Sequence, residues 1–399
     1  MTPGARVSAA IECLDQIFAG SPAEKTLTRW ARGSRFAGSK DRAAVRDHVF
    51  DALRKRDTCA FLGGALTGRS VMIGLCYLQG SDLEGVFSGQ GHAPDPLTAV
   101  EIDTVQSNQA ALNGDEDASK SNALWNMQGW CKEALKVSHD DKSFEIADLL
   151  SARAPVDLRT NLIKGSVEDA ISTLAEDDIL VEPSDLSETA LRVLNNPRKV
   201  KTSRAYESGL VELQDAGSQA LVDALPIPEV GSILDFCAGG GGKSLALAAK
   251  TSAFIYAHDV DVKRMQDIPI RAKRAGADIK CLDGDRVLAN APFDLVLCDA
   301  PCSGSGAWRR SPDAKWRTTQ SEFENLLSLQ ACILDEANAF VRSNGYLCYA
   351  TCSLFAQENE DQVNKFLEDR TDFKLILQKL WTPLNGSDGF YVAVLQSLR

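Results

Sequence analysis

The stretch that decides the fold is ILDFCAGGGGKS, at residues 233–244. It opens with a short apolar run typical of a buried strand, four glycines follow, and Lys243 and Ser244 begin a predicted helix. This order lets backbone N–H groups approach a ligand at the positive end of a helix dipole. It does not match G-x-x-x-x-G-K-[ST], because position 237 is cysteine, nor a clean G-x-G-x-x-G. By itself the motif indicates either a nucleotide-like cofactor or a tight turn.

Further apolar, strand-like stretches alternate with helical segments after this motif. They lie at 254–258, 279–282, 294–298, 345–350 and 390–395. This alternation predicts an α/β fold with a doubly wound, Rossmann-like sheet. Ligands bind such a sheet just beyond the carboxyl ends of its strands, so the loops that follow these stretches are the candidate site.

Acidic residues follow two of the predicted strands. Asp259 ends the strand after the glycine loop, at the distance where an acidic side chain binds ribose hydroxyls, and Asp283 follows the third strand. A carboxylate at a strand end is common on protein surfaces. The prediction that these two bind a cofactor therefore depends on their combination with the glycine loop.

Two cysteine signatures follow the next two strands: Asp299-Ala300-Pro301-Cys302 and Thr351-Cys352-Ser353. A buried cysteine is usually an inert apolar residue, and we expect this of Cys298 and Cys348 within the strands. Cys302 and Cys352 differ because each lies just past a strand, in a loop of small residues where a thiol can be activated. Both thiols should face one crevice.

Composition narrows the class of protein. The chain carries 11 cysteines without a C-x-x-C pair and only 4 histidines, so we predict neither a disulfide framework nor a metal site. It has no apolar signal core at its start and no apolar stretch long enough to span a membrane, so we expect a cytoplasmic protein that does not contact membranes. The net charge of −12 argues against a general nucleic-acid coat.

Charge is unevenly distributed along the chain. Residues 1–57 carry eleven Lys and Arg against seven Asp and Glu, whereas residues 81–120 carry one against eight. Helical spacing of apolar residues near the amino terminus predicts an all-α domain. We predict four parts: helices at 1–80, an acidic linker with helices at 81–150, a small α+β subdomain at 151–205 and the Rossmann-like domain at 206–399.

Together these motifs resemble the RNA cytosine-5 methyltransferases of the RsmB/Nop/Sun type, in particular the bacterial RsmB-like members. The resemblance is carried by CAGGGGK at 237–243, DAPCSGSG at 299–306, RRSPDAKW at 309–316 and YATCS at 349–353. One departure is Gly240, where the family's loop usually has proline. More weakly, APVDLRTN at 154–161 resembles the family's small RNA-contacting subdomain, and the amino-terminal helices resemble a NusB-type RNA-binding domain.

The resemblance implies transfer of a methyl group from S-adenosylmethionine to carbon 5 of cytosine in RNA, with small-subunit ribosomal RNA as the first candidate. It implies that Cys352 attacks carbon 6, that Cys302 assists removal of the carbon 5 proton, and that Asp299 hydrogen-bonds the cytosine edge. The residues expected to bind the cofactor are Cys237, Ala238, Gly239, Gly240, Gly241, Gly242, Lys243, Asp259, Asp283 and Asp299.

We expect a monomer that acts on a single-stranded or locally opened RNA, because carbon 6 is out of reach in a stacked base. A mixture of aromatic and basic side chains beside the catalytic loop predicts stacking and phosphate contacts there. These residues are Trp308, Arg309, Arg310, Lys315, Trp316 and Arg317. The alternatives are a catalytically silent RNA-binding assembly factor and a tRNA or DNA cytosine methyltransferase.

Overall fold

A computed structural model describes residues 1–114 and 121–399 of the chain. The chain divides into two compact units: Met1–Arg153 with Trp308–Arg317, and Ala154–Ala307 with Thr318–Arg399. Residues 115–120 of the predicted acidic stretch lie outside the described residues. No single described helix is long and apolar enough to cross a membrane, although the bent pair Arg56–Gly63 and Gly68–Leu78 meets the length and composition test together.

The first unit is helical. Apolar residues three and four apart give α1 a buried stripe that includes Val7, Ala10 and Leu14, and Thr2 caps its start by accepting the Ala5 N–H. The helices are α1 Pro3–Phe18, α2 Ala23–Gly33, α3 Ser39–Arg54, α4 Arg56–Gly63, α5 Gly68–Leu78, α6 Leu83–Val86, α7 Ala99–Gly114, α8 Asn122–Trp125, α9 Gly129–His139, α10 Ser143–Leu150 and α17 Ala314–Arg317.

The segment 308–317 is built into this helical unit. Lys315 Nζ donates to the carbonyl of Arg54 at 2.8 Å, and Trp316 Nε1 donates to the carbonyl of Leu53 at 2.7 Å. These two bonds satisfy carbonyls that the end of α3 would otherwise leave unpaired. Lys315, Trp308 and Arg309 are buried, with 1%, 1% and 5% of their surfaces exposed, and Trp316 is half-buried. The prediction that Lys315, Trp308 and Arg309 contact RNA is therefore wrong, because these side chains are buried in the helical unit.

Lys315 gives the helical unit a testable pH dependence. Burial lowers the pKa of Lys315 from its ordinary 10.5 to about 7. Between these values the unfolded chain binds a proton that the folded chain does not, so the free energy of unfolding rises with pH, by up to about 1.4 kcal/mol per pH unit. Lys315→Met should remove this component. Urea unfolding of both proteins at pH 7.5 to 9.5 should show a shallower rise for the variant.

The matched control is Lys142→Met, because it makes the same substitution at a lysine whose side chain is exposed to solvent. That variant should retain the wild-type dependence. Parallel pH curves for wild type and Lys315→Met would contradict the prediction.

The second unit contains a small antiparallel sheet of order β2-β3-β1-β4. Its strands are β1 Asp157–Thr160, β2 Val181–Pro183, β3 Ala190–Val193 and β4 Val211–Leu213, with helices α11 Val167–Ala175 and α12 Arg204–Glu207. Arg159 and Asn161 of the APVDLRTN segment are buried. Arg159 donates to the Gly242 carbonyl at 3.2 Å, and Asn161 donates to the carbonyls of Gly209 and Ala275. These polar side chains therefore attach the small sheet to the rest of this unit.

The larger sheet confirms the predicted Rossmann-like α/β class. Its order is β10-β11-β9-β8-β5-β6-β7, in which β5 to β9 run parallel and β10 and β11 pair antiparallel with their neighbours. The strands are β5 Ser232–Asp235, β6 Phe254–Ala257, β7 Ile279–Cys281, β8 Phe293–Asp299, β9 Val341–Thr351, β10 Phe373–Trp381 and β11 Phe390–Ser397. The helices are α13 Ala216–Asp223, α14 Gly242–Ala248, α15 Ile268–Ala275, α16 Gly284–Asn290, α18 Gln320–Asn338 and α19 Glu360–Glu368.

The order of this sheet determines where a ligand can bind. The chain starts in the middle at β5, builds β6 and β7 on one side, and returns to build β8 and β9 on the other. Helices leave β5 and β8 toward opposite faces at such a reversal, which opens a crevice beyond the carboxyl ends of these strands. The glycine loop after β5 and the cysteine loops after β8 and β9 all lie at this edge.

Candidate active site

The glycine loop between β5 and α14 has a conformation that depends on two of its glycines. Gly239 and Gly241 lie in the left-handed region, with φ of 51° and 77°, and Gly241 is the residue that precedes α14. A Cβ at Gly241 would approach Ile268 Cγ1 to 2.8 Å, whereas Gly240 has neither a positive φ nor a backbone neighbour in its way. Glycine is therefore required at 239 and 241 but not at 240.

Asp259 fixes this loop from the end of β6. Its carboxylate accepts the N–H groups of Gly239 and Asp261, each at 2.9 Å, and pairs with Arg264 at 3.1 Å. The side chain is only 2% exposed. A carboxylate has about four acceptor positions, so Asp259 retains capacity for a ribose hydroxyl in addition to these partners.

Two other polar residues border the loop. Asp283 lies after β7, caps α16 by accepting the Arg286 N–H at 3.0 Å, and keeps a largely exposed side chain. Asp235 at the end of β5 is fully buried and accepts the Ser244 hydroxyl at 2.6 Å, which joins β5 to α14. Burial raises the pKa of Asp235 to about 7. The sequence prediction missed Asp235, although a carboxylate inside an apolar strand is an unusual signal.

The two cysteine loops meet. Strands β8 and β9 are adjacent and parallel, with Asp299 paired to Ala350, so both loops start at the same level of the sheet. The Sγ atoms of Cys302 and Cys352 lie 3.5 Å apart. The hydrogen bond with Cys352, and next burial, raise the pKa of the Cys302 thiol. Cys298 and Cys348 are fully buried in the strands, as expected for core residues.

Lys243 links the glycine loop to the cysteine loops. Its Nζ donates to Asp299 Oδ2 at 2.6 Å, and both residues are on the same crevice as the thiols. Burial disfavours the ammonium, but the Asp299 carboxylate outweighs this effect and, with a smaller contribution from Cys352, raises the pKa of Lys243. Lys243, in the first turn of α14, thus interacts electrostatically with Cys352.

The predicted site residues fall into two groups at this edge of the sheet. Cys237, Ala238 and the four glycines form the loop to which Asp259 is hydrogen-bonded, Asp283 follows β7 at the same edge of the sheet, and Lys243 and Asp299 lie with Cys302 and Cys352. Glu358, which the sequence prediction missed, is fully buried and hydrogen-bonded to both cysteine loops. Its position in the polar run QENED, residues 357–361, resembles an ordinary exposed helix start.

Comparisons with known proteins agree with this geometry. The family described as 16S rRNA methyltransferase RsmB/F matches residues 223–396, and a ferredoxin-like domain described as Methyltr_RsmF/B-like matches residues 128–201. Ribosomal RNA small subunit methyltransferase B of Yersinia enterocolitica is 31% identical over 295 residues, which cover 70% of this chain and 68% of that protein.

Solved structures share the fold. The crystal structure of PH0851 has a TM-score of 0.75 at 23% identity and covers 100% of this chain and 99% of its own. NSun6 from Pyrococcus horikoshii, solved with SFG, has a TM-score of 0.60 at 18% identity and covers 68% of this chain and 98% of its own.

The conformation of the glycine loop yields a matched pair of variants. Gly241→Ala places a side chain at a left-handed φ and against Ile268, so it should lower the free energy of unfolding by about 1–3 kcal/mol. Gly240→Ala should lower it by less than about 1 kcal/mol, because the only neighbour of its Cβ is the flexible end of Arg271. Urea unfolding measures both. Equal losses for the two variants would contradict the loop geometry.

Proposed function

Because the chain belongs to the RsmB/F family of 16S rRNA methyltransferases, we propose that it methylates carbon 5 of a cytosine in small-subunit ribosomal RNA through a covalent cysteine adduct. The observation that carries the proposal is the contact between the Cys302 and Cys352 sulfur atoms, 3.5 Å apart beside the Lys243–Asp299 pair. Two thiols in contact offer one nucleophile and one proton carrier at a single base.

S-adenosylmethionine is the cofactor of this enzyme family and supplies an electrophilic methyl group when bound. The residues present fit it: a glycine loop without side chains permits close approach, and the Asp259 carboxylate, with three partners already, has about one acceptor position left for a ribose hydroxyl. Cys237, Ala238 and Gly239 to Gly242 would line its binding site, and Asp283 at the end of β7 would complete it.

The chemistry proposed for the base begins at Cys352. Carbon 5 of cytosine is a weak nucleophile, and addition of the Cys352 thiolate to carbon 6 converts the ring into an enamine. Carbon 5 of this enamine would take the methyl group that S-adenosylmethionine supplies when bound, with S-adenosylhomocysteine as the leaving group. Loss of the carbon 5 proton, assisted by Cys302, then lets the carbon 6–sulfur bond break and restores the aromatic ring. The Lys243 ammonium would stabilise negative charge on Cys352, and Asp299, whose Oδ2 accepts from Lys243, would hydrogen-bond the cytosine edge.

A catalytically silent factor and a DNA methyltransferase explain less of the site, whereas a tRNA cytosine methyltransferase would differ only in its substrate. A catalytically silent assembly factor would have no use for two thiols held in contact. In DNA cytosine methyltransferases the cysteine of the Pro-Cys pair attacks, so the Thr351-Cys352-Ser353 loop would then have no role. The role of Cys352 is therefore the feature to test.

Cysteine variants test the function directly. Cys352→Ala should abolish methyl transfer, because no thiolate remains to attack carbon 6. Cys302→Ala should still form the bond to carbon 6 but fail to resolve it, so that a covalent protein–RNA adduct accumulates and survives denaturing gel electrophoresis. The double variant should form no adduct. An adduct trapped by Cys352→Ala and absent from Cys302→Ala would reverse the roles of the two thiols.

Bisulfite sequencing of cellular RNA, with and without this gene, tests the substrate. A cytosine of small-subunit ribosomal RNA should lose its resistance to conversion when the gene is deleted. If a cytosine loses its resistance to conversion only in another RNA, that RNA is the substrate and the proposed ribosomal substrate is wrong.

We also propose that the helical unit contributes RNA affinity through its basic surface. Lys25, Arg29 and Arg32 are exposed on one side of α2 and line a common hollow of about 430 Å³, together with Thr28 and with Glu24, whose carboxylate is paired with Arg46. By contrast, two of the four basic residues in the run after β3 are paired with carboxylates: Lys199 with Asp178, and Arg204 with both Glu176 and Asp177. Exposed cations without carboxylate partners are better suited to phosphate contacts.

Removal of the α2 charges should weaken RNA binding. Lys25→Ala/Arg29→Ala/Arg32→Ala should reduce the affinity for a fluorescent ribosomal RNA fragment about ten-fold or more and lower the slope of log K against log salt by about 2, if each cation contacts one phosphate of a single strand. Point variants are preferable to deletion of residues 1–80, because the helical core of this unit extends to Arg153. Lys142→Ala/Lys365→Ala/Lys374→Ala, an equal loss of exposed charge elsewhere, is the control. Equal RNA affinities and equal salt slopes for the two triple variants would contradict the proposal that α2 contacts RNA.

A further inference from the structure

Glu358 connects the two cysteine loops from inside the protein. Its Oε1 accepts the backbone N–H of Ser303 at 2.7 Å and Gln330 Nε2 at 3.0 Å. Its Oε2 accepts the hydroxyl of Ser303 at 2.5 Å and the hydroxyl of Ser353. Ser303 directly follows Cys302 and Ser353 directly follows Cys352, so one carboxylate is bonded next to both thiols.

All the hydrogen-bond donors to this carboxylate are neutral groups. Glu358 has no exposed surface, and no Lys, Arg or His of the described residues forms an ion pair with it. A buried carboxylate is costly unless hydrogen bonds satisfy it, and four donors satisfy this one. The chain maintains this arrangement with further bonds: the Tyr349 hydroxyl donates to the Glu358 carbonyl at 2.7 Å, and Asn359 accepts the Thr351 hydroxyl at 2.6 Å.

The arrangement restricts both cysteine backbones. Gln330 also donates to the carbonyl of Pro301, the residue before Cys302, at 3.0 Å. Ser305 and Ser353 share a hydroxyl contact of 3.0 Å, and the Gly306 N–H donates to the carbonyl of Cys352 at 3.0 Å. With Glu358 at their centre, these bonds fix the residues that flank each thiol, and a carboxylate with two oxygens is the group that bridges them.

The charges on the two sides of the thiol pair also differ. The Lys243 ammonium interacts with Cys352, whereas the Glu358 carboxylate interacts with Cys302 and adds to the raised pKa of that thiol. Cys352 and Glu358 both raise the pKa of Cys302, a backbone hydrogen bond from Gly304 lowers it by less, and Tyr349 is also in its neighbourhood. The Glu358 carboxylate on the side of Cys302 favours the protonated thiol at that residue.

We propose that Glu358 is a positioning residue that holds Cys302 and Cys352 in contact and keeps Cys302 as the protonated member of the pair. This inference rests on the proposed function, in which Cys352 attacks. Glu358 itself touches neither substrate nor cofactor and acts through Ser303 and Ser353.

Glu358→Gln tests the inference because it keeps the size of the side chain but removes the charge and replaces one acceptor oxygen with a donor. Two readouts are needed. Methyl transfer to a ribosomal RNA fragment should fall about 100-fold in kcat, while KM for RNA changes less than about three-fold. Iodoacetamide alkylation, followed at each cysteine by mass spectrometry, should favour Cys352 in the wild type and lose about ten-fold of that preference in the variant.

The controls separate positioning from folding. Asp361→Asn removes an exposed carboxylate from the first turn of α19 and should change neither readout. Glu358→Asp keeps the charge and should restore part of the alkylation preference. If Glu358→Gln does not fold, as judged by loss of S-adenosylmethionine binding in calorimetry, Ser303→Ala and Ser353→Ala replace it, and each should lower kcat with the cofactor affinity intact.

The outcomes are distinguishable from those of the proposed function. Full methylation by Cys352→Ala would refute the attacking role of Cys352 whatever Glu358 does. An alkylation preference that Glu358→Gln and both serine variants leave unchanged, together with wild-type kcat, would overturn the role of Glu358 alone, because alkylation requires neither RNA nor cofactor.

Discussion

The site depends on the parallel pairing of β8 with β9. In this register Asp299 lies opposite Ala350, so the loops that carry Cys302 and Cys352 leave the sheet side by side. A pair of strands in another register would separate thiols that are 50 residues apart in the chain. The pairing itself is secured by apolar side chains such as Leu297, Leu347 and Cys348, which are fully buried on both faces of the sheet. The packing of these apolar side chains within the sheet thus determines the relative positions of the two thiols.

Nearby charges make Cys302 and Cys352 differ, although the backbone places both thiols side by side. Lys243 reaches Asp299 from the glycine loop, and Glu358 reaches Ser303 and Ser353 from the start of α19. Both groups are almost completely withdrawn from water, where interactions between charges are stronger and less screened by salt. A cation near Cys352 and an anion near Cys302 make two chemically identical thiols unequal.

Burial also reassigns side chains that look like ligands for RNA. Lys315 and Trp316 would suit phosphate and base contacts, yet both donate to carbonyls at the end of α3. Arg159 and Asn161 similarly bond to backbone carbonyls within their own unit. Within residues 1–114 and 121–399, the exposed cations Lys25, Arg29 and Arg32 of α2 have no such partners, which is why the proposed RNA contacts shift to that helix. The number of charged residues in a sequence therefore overstates the charge that is exposed to a binding partner.

The sequence alone determined the Rossmann-like class, the family and the chemistry-bearing loops, because strand periodicity, the glycine turn and the two cysteine signatures are local patterns. The sequence prediction missed strand β10, FKLILQKLW at residues 373–381. This strand lies at the edge of the sheet, paired with β11 alone among the described strands, and its alternation of buried and exposed residues differs from the continuous apolar run expected of a buried strand. The sequence could not assign Glu358 or Lys315, because an acidic or basic side chain has the same letter whether solvated or buried. Only the tertiary structure decided these roles, since the hydrogen-bond partners that make burial of a charge tolerable come from segments distant in the chain.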